Sequence, residues 1–292
     1  MTPMNPYIPY VSNFARLLTD GQSLMVGTLS PPPRPQPPAD APVVLIFSPP
    51  PDDECIVGGL ALRLLREANM RVINVAVTQG SNKARQQARL EELRRACDWL
   101  GFGLEQTAPC GLEKINPKTR ANEAAHWSGA VKTIAALLAR HRPRAVFFPH
   151  ALDWNSTHVG VNMLVMDALR SMPADFQTTL IETEFWGQMT APNLMVEISP
   201  ADLADLVAAL SLHTGEVERN PYHLRLPAWM QDNVRRGAEL VGGQGGISPL
   251  FPFATLYRAL TFDKGHAAVA HSGGRQIKAT DPLLASLGWP SS

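Results

Sequence analysis

The stretch "PPDDE" at residues 50–54 sets three carboxylates, Asp52, Asp53 and Glu54, where the apolar run "VVLIFS" gives way to the helical pattern "CIVGGLALRLLREA". Two chemistries compete for it. Aspartate caps helices well, and acidic residues in a first turn are favoured by the helix dipole. A strand–helix turn built for phosphate would instead carry G-x-G-x-x-G. Here Gly58 and Gly59 fall within the helical pattern and carboxylates occupy its mouth, so an anion is repelled and a cation invited. A helix N-terminus also favours the ionised carboxylate that a metal ligand or general base requires.

A second group lies in "AVFFPHALDWNSTHVGV", residues 145–161. His150, Asp153 and His158 follow another apolar strand, with His158 opening the next helix. A lone histidine is more often structural than ligating. Ligands of a parallel sheet sit beyond the C-terminal strand ends, however, and both loops belong there.

The elements that must position these groups follow from periodicity. Strands are predicted at 43–48, 71–78 and 144–150, with further candidates at 179–187 and 193–199. Helices are predicted near 10–18, over 55–68, over 84–101 ending at Gly101, over about 124–140 and 158–172, from Pro200 to His213, and near 227–240. Alternating strands and helices mean βαβ units, an α/β fold with a largely parallel sheet. The proline-dense 30–42 segment reads as an extended linker between an N-terminal extension (1–29) and the main domain (43–263). Residues 264–292 read as a weakly ordered tail.

Lys+Arg and Asp+Glu both number 26, so no net field draws the chain to nucleic acid. Three scattered cysteines argue against a disulfide framework and against a cysteine zinc module. With no secretory signal and no apolar run long enough to span a bilayer, a cytoplasmic protein is expected. "LVGGQGGIS" at 240–248 follows a helix and lacks Lys-Ser/Thr, so it reads as a mobile loop rather than a phosphate cradle.

Taken together, "PDDE" after a buried strand, His158 after "NST", Arg89 and Glu92 spaced R-x-x-E, and "HTGEVERNPYH" from His213 resemble the LmbE-like, or PIG-L, family of zinc-dependent de-N-acetylases. The resemblance covers roughly residues 42–260. It implies a Rossmann-like three-layer sandwich and a metal-dependent amidohydrolase that removes acetyl from an N-acetylated sugar or related small molecule. In that family zinc is held by the histidine of "HPDDE", the second aspartate and a distant histidine. Position by position, Asp52 becomes the general base, Asp53 and His158 metal ligands, and Arg89 and Asn155 substrate-binding residues. Pro50 stands where the family places its first histidine and has no side-chain donor. His150 is the candidate to complete the metal shell, whereas Cys55, two residues from Asp53 on a helix, points away. Glu184, His213 and His223 are further substrate-binding candidates, Trp186 is a pocket-lining one, and Glu92 reads as a helix salt-bridge partner. Pro50 also motivates an alternative, a catalytically impaired relative that binds a small molecule or glycan. The partners expected are a small N-acylated substrate and a second copy of the chain.

Overall fold

The computed structural model describes residues 5–34 and 36–290. Residues 1–4 of the N-terminal extension, Pro35 of the linker and residues 291–292 of the tail lie outside the described residues. In chain order the elements are α1 (Ile8–Gly21), β1 (Val43–Ser48), α2 (Asp53–Ile56), α3 (Gly59–Ala68), β2 (Arg71–Ala76), α4 (Gln86–Leu100), β3 (Gly103–Gln106), α5 (Pro117–Asn122), α6 (Ala124–His141) and β4 (Ala145–Pro149). There follow α7 (Ser156–Arg170), β5 (Thr178–Thr183), β6 (Leu194–Glu197), α8 (Pro200–Ser211), α9 (Thr214–Val217), α10 (Tyr222–Leu240), β7 (Ala254–Asp263), β8 (His266–Val269), β9 (Arg275–Ile277) and α11 (Leu283–Leu287).

β1 is apolar along almost its whole length because both of its faces are covered. Val44 and Ile46 pack with Leu60, Leu64 and Leu93 on one side. Leu45 and Phe47 pack with Ile134, Leu138 and Val161 on the other. The result is a three-layer α/β sandwich. Its sheet order is β3-β2-β1-β4-β5-β7-β6-β9, with β8 hydrogen-bonded to β7. β3 through β5 run parallel, and β7 runs antiparallel to β5 and β6. From β1 the chain runs out to β3 and then returns to place β4 on the other side. This reversal opens a crevice beyond the C-terminal ends of β1 and β4, where open α/β sheets bind ligands.

Three sequence expectations need correction. The single helix over 55–68 is two, because the chain breaks at Gly58. A Cβ there would run into the Glu54 carbonyl, and one on Gly59 would lie 2.6 Å from Ile198 Cδ1. The phenol of Tyr257, on β7, bridges the break: it donates to the Val57 carbonyl at 2.7 Å and accepts from the Leu60 N–H at 3.0 Å. Burial pushes that phenol up to about 12, so it remains a donor at neutral pH.

The tail after Lys264 is also ordered into the sheet. β9 pairs with β6, and Ile277, Leu283 and Trp289 are buried. The buried Arg63 holds this segment by donating to the Lys278 carbonyl at 3.1 Å. Its anchors are too far apart in sequence to produce a periodic signal. Finally, α10 begins at Tyr222 with Pro227 inside it, rather than at Pro227. No helix among the described residues is long and apolar enough to cross a membrane.

Candidate active site

Asp52 takes a left-handed conformation, with φ at 103°, as the chain leaves β1 for α2. That turn tucks Asp52, Asp53 and Glu54 inward, and all three are buried. Glu54 lies deepest. It accepts from His213 Nε2 at 2.7 Å, from the Cys55 thiol at 3.1 Å and from the Asp52 N–H at 3.0 Å. Burial opposes ionisation of Glu54, but the charge and hydrogen bond of His213 outweigh it and hold the carboxyl below its usual range. His213 answers in kind: burial disfavours its charged form, and Glu54 prevails and raises its pKa. His213 is therefore a fully buried counter-ion beneath the turn, which does not suit it to touch a substrate as the sequence suggested.

Asp53 faces across the crevice. Its Oδ1 lies 3.6 Å from His158 Nε2, while Asp53 Oδ2 and both ring nitrogens of His158 are buried without a hydrogen-bond partner. Such orphaned atoms are costly unless something sits between them. Tetrahedral zinc with ligands at 2.0–2.2 Å sets its donor atoms about 3.3–3.6 Å apart, so this pair fits a shared cation. Behind His158, Asp153 Oδ2 stands 3.5 Å from Nδ1, where a carboxylate orients a ligating imidazole. Burial pushes Asp153 up, yet the neighbouring His158 and hydrogen bonds from the Asn155 and Gly187 N–H groups prevail and hold its carboxyl below the usual range. Burial first, then Asp52, Glu54 and Asp153, drive the Asp53 pKa well up. A dication at this point would relieve that crowding by displacing a proton.

A second grouping, Glu54, Cys55 and His213, brings donor atoms within 4.8 Å of one another and could also hold a metal ion. Its atoms are already hydrogen-bonded to each other, and burial keeps the Cys55 thiol protonated.

A cleft of about 580 Å³ opens beside the turn, lined among others by Pro50, Thr78, Gln86, Arg89, Asn116 and Asn155. Arg89 donates to the Pro51 carbonyl at 3.2 Å and retains a buried, unpartnered Nε. Asn155 caps α7 through Oδ1, which accepts from the Thr157 and His158 N–H groups at 2.9 and 3.4 Å. Its amide nitrogen is what remains to offer a ligand. Glu92 holds the next turn, accepting from Thr214 Oγ1 at 2.8 Å and the Gly215 N–H at 3.1 Å. A depression of about 790 Å³ at the opposite end of the sheet, around Val43, Arg144 and Trp289, is remote from the carboxylates.

Not every sequence candidate converges here. His150 has Nε2 2.8 Å from the Gly187 carbonyl, and its Nδ1 accepts from the Leu152 N–H at 3.3 Å. Both nitrogens are engaged in closing a loop, which replaces the metal-ligating role. Glu184 is 2% exposed and forms a two-pronged ion pair with Arg236, at 2.6 and 3.1 Å, so it braces the 184–189 turn instead of meeting a ligand. His223 is buried beside Tyr222 with Nδ1 unpartnered, and burial lowers its pKa. Arg236→Met leaves the Glu184 charge buried without its cation, and urea unfolding should show a loss of about 3–5 kcal/mol.

Residues 45–169 match the PIG-L family, described as GlcNAc-PI de-N-acetylase. This part of the chain is similar to that family. The match spans both halves of the crevice, from β1 to α7. The fold recurs in solved structures. N,N'-diacetylchitobiose deacetylase of Pyrococcus horikoshii is 16% identical with a TM-score of 0.55, covering 91% of this chain and 96% of that one. GalB, the 4-carboxy-2-hydroxymuconate hydratase of Pseudomonas putida KT2440, is 16% identical with a TM-score of 0.56, covering 75% and 95%. Teicoplanin deacetylase Orf2, solved in a zinc-inhibited form, is 14% identical with a TM-score of 0.54, covering 76% and 99%. At these identities the likeness establishes a shared fold. No curated protein gives a significant match to the sequence.

Proposed function

We propose that the protein is a metal-dependent deacetylase of a small N-acetylated sugar. The observation that carries this reading is the Asp53–His158 pair, buried with orphaned donor atoms at the switch point and backed by Asp153. A divalent ion bound there would acidify water and polarise an acyl carbonyl. Asp52 is the base. It takes a proton as water attacks the amide carbon, and returns that proton to the departing amine as the C–N bond breaks. Burial raises its carboxyl to about 7, against the opposing pull of His213 and Arg89, so it can both accept and release a proton near neutrality. Arg89 and the Asn155 amide offer donors to the substrate's oxygens across the cleft. The test is amine release from N-acetylglucosamine by the full-length protein with added zinc. Release that stops on chelation is expected; none from zinc-loaded protein would overturn the deacetylase reading.

Pro50 favours a second reading. It brings no donor to the place where the family carries a histidine, and a catalytic zinc normally has three protein ligands. A protein that binds the sugar without hydrolysing it would show saturable binding and no amine in the same assay.

A further inference from the structure

Beside His158 the crevice is flanked by aromatic rings. From His158 a line of rings runs outward, with centroid steps of 6.1 Å to Phe185, 4.7 Å to Trp186 and 5.7 Å to Trp154. Tyr222 joins from α10, 5.8 Å from Trp186 and nearly perpendicular to it at 84°. The line starts at the candidate metal ligand and ends in solvent, with Trp186 37% and Trp154 72% exposed.

An indole left this open usually sits on a mobile loop. This one is held. Asp153, next to Trp154, accepts from the Asn155 N–H at 2.8 Å and the Gly187 N–H at 3.2 Å. His150 reaches the Gly187 carbonyl at 2.8 Å from the same loop. Gly187 lies so close that a Cβ on it would fall 2.9 Å from Asp153 Cα. The two segments carrying Trp154 and Trp186 are thus clamped together, and the carboxylate that clamps them also orients His158. Rigid aromatic rings bind at low entropic cost.

We propose that Trp154 and Trp186 form a second sugar subsite, stacking against the apolar face of a pyranose linked to the N-acetylated residue at Asp52. This rests on the deacetylase reading for the first sugar. The cleft beside the acidic turn mixes Arg89, Asn116 and Asn155 with Leu112 and Ile115, which suits a ligand polar at its edges and apolar on its faces, a glycan better than a lipid chain.

The test measures binding, so that it stands apart from hydrolysis. Chelated full-length protein is titrated with N-acetylglucosamine, its β-linked disaccharide and N-octanoylglucosamine, followed by tryptophan fluorescence and calorimetry. The disaccharide should bind about tenfold tighter than the monosaccharide, and Trp154→Ala or Trp186→Ala should bring that ratio close to one. Leu152→Ala, an exposed change in the same loop, should leave the ratio in place. The subsite is overturned by equal affinities in the parent protein, by a preference that survives both tryptophan changes, by no saturable binding of either sugar, or by a tryptophan-dependent gain for the octanoyl compound alone. Failure to release amine in the earlier assay, with the disaccharide preference intact, removes the hydrolase and leaves the subsite.

Discussion

Pro50→His is expected to tighten zinc binding by at least about 100-fold and to speed amide hydrolysis. Groups that merely orient a ligand already shift affinity by roughly 10–100-fold, and a third direct ligand should exceed that. Pro50 lines the cleft beside the turn carrying Asp52 and Asp53. An imidazole there would add a neutral donor to a group in which carboxylates outnumber cations. It would also bring the protein ligands to the number usual for a catalytic zinc site. Competition against a chromophoric chelator gives the affinity, and amine release gives the rate. Identical behaviour of the two proteins would move the metal elsewhere, with Glu54, Cys55 and His213 the next place to look.

Asp52→Asn should abolish turnover while making the chelated protein more stable at alkaline pH. Loss of a general base costs about 10²–10⁴ in rate. The fold should tolerate the change, because asparagine accepts the positive φ of 103° at this position and the backbone N–H to Glu54 is kept. The stability effect follows from the sign of the shift. The carboxyl rises from an ordinary 3.8 to about 7 on folding, with burial the largest cause. Between those values the folded chain holds a proton that the unfolded chain has lost. Stability is therefore fully present below about 3.8 and falls as pH rises through about 7. A shift of this size corresponds to a few kcal/mol, about 1.4 for each pH unit. Asparagine does not titrate, so urea midpoints of the two proteins should diverge as pH climbs from 5 to 8, with the variant higher. Parallel curves would show that Asp52 is not buried as described.

Much of the architecture could be read from local signals, and what escaped lacks one. The runs 43–48 and 144–150 read as strands because burial on both faces leaves them almost wholly apolar. Gly101 marked a helix end that the structure realises with φ at 81°. β7 alternates Tyr257, Ala259 and Thr261 with other residues, yet its place between β5 and β6 depends on pairings distant in the chain. The acidic turn and His158 stood out by residue type and by their position after strands. Asp153 was visible in the same loop, though its partnership with His158 was not. The engagement of His150 with Gly187 and of Glu184 with Arg236 could not be foreseen, because the partners lie 37 and 52 positions away. The aromatic line was foreshadowed only by Trp186; Trp154, Phe185 and Tyr222 come from three separate segments, and only folding brings them into one row.

The phenol that closes the gap between α2 and α3 has a consequence for how the molecule is made. A nascent chain that ends after α10 already carries the carboxylates and the distant imidazole. It still lacks the hydroxyl that pins Val57 and Leu60 about 200 positions upstream. On the ribosome, this bridge can form only once β7 has emerged, so the gap between the two helices is closed near the end of synthesis.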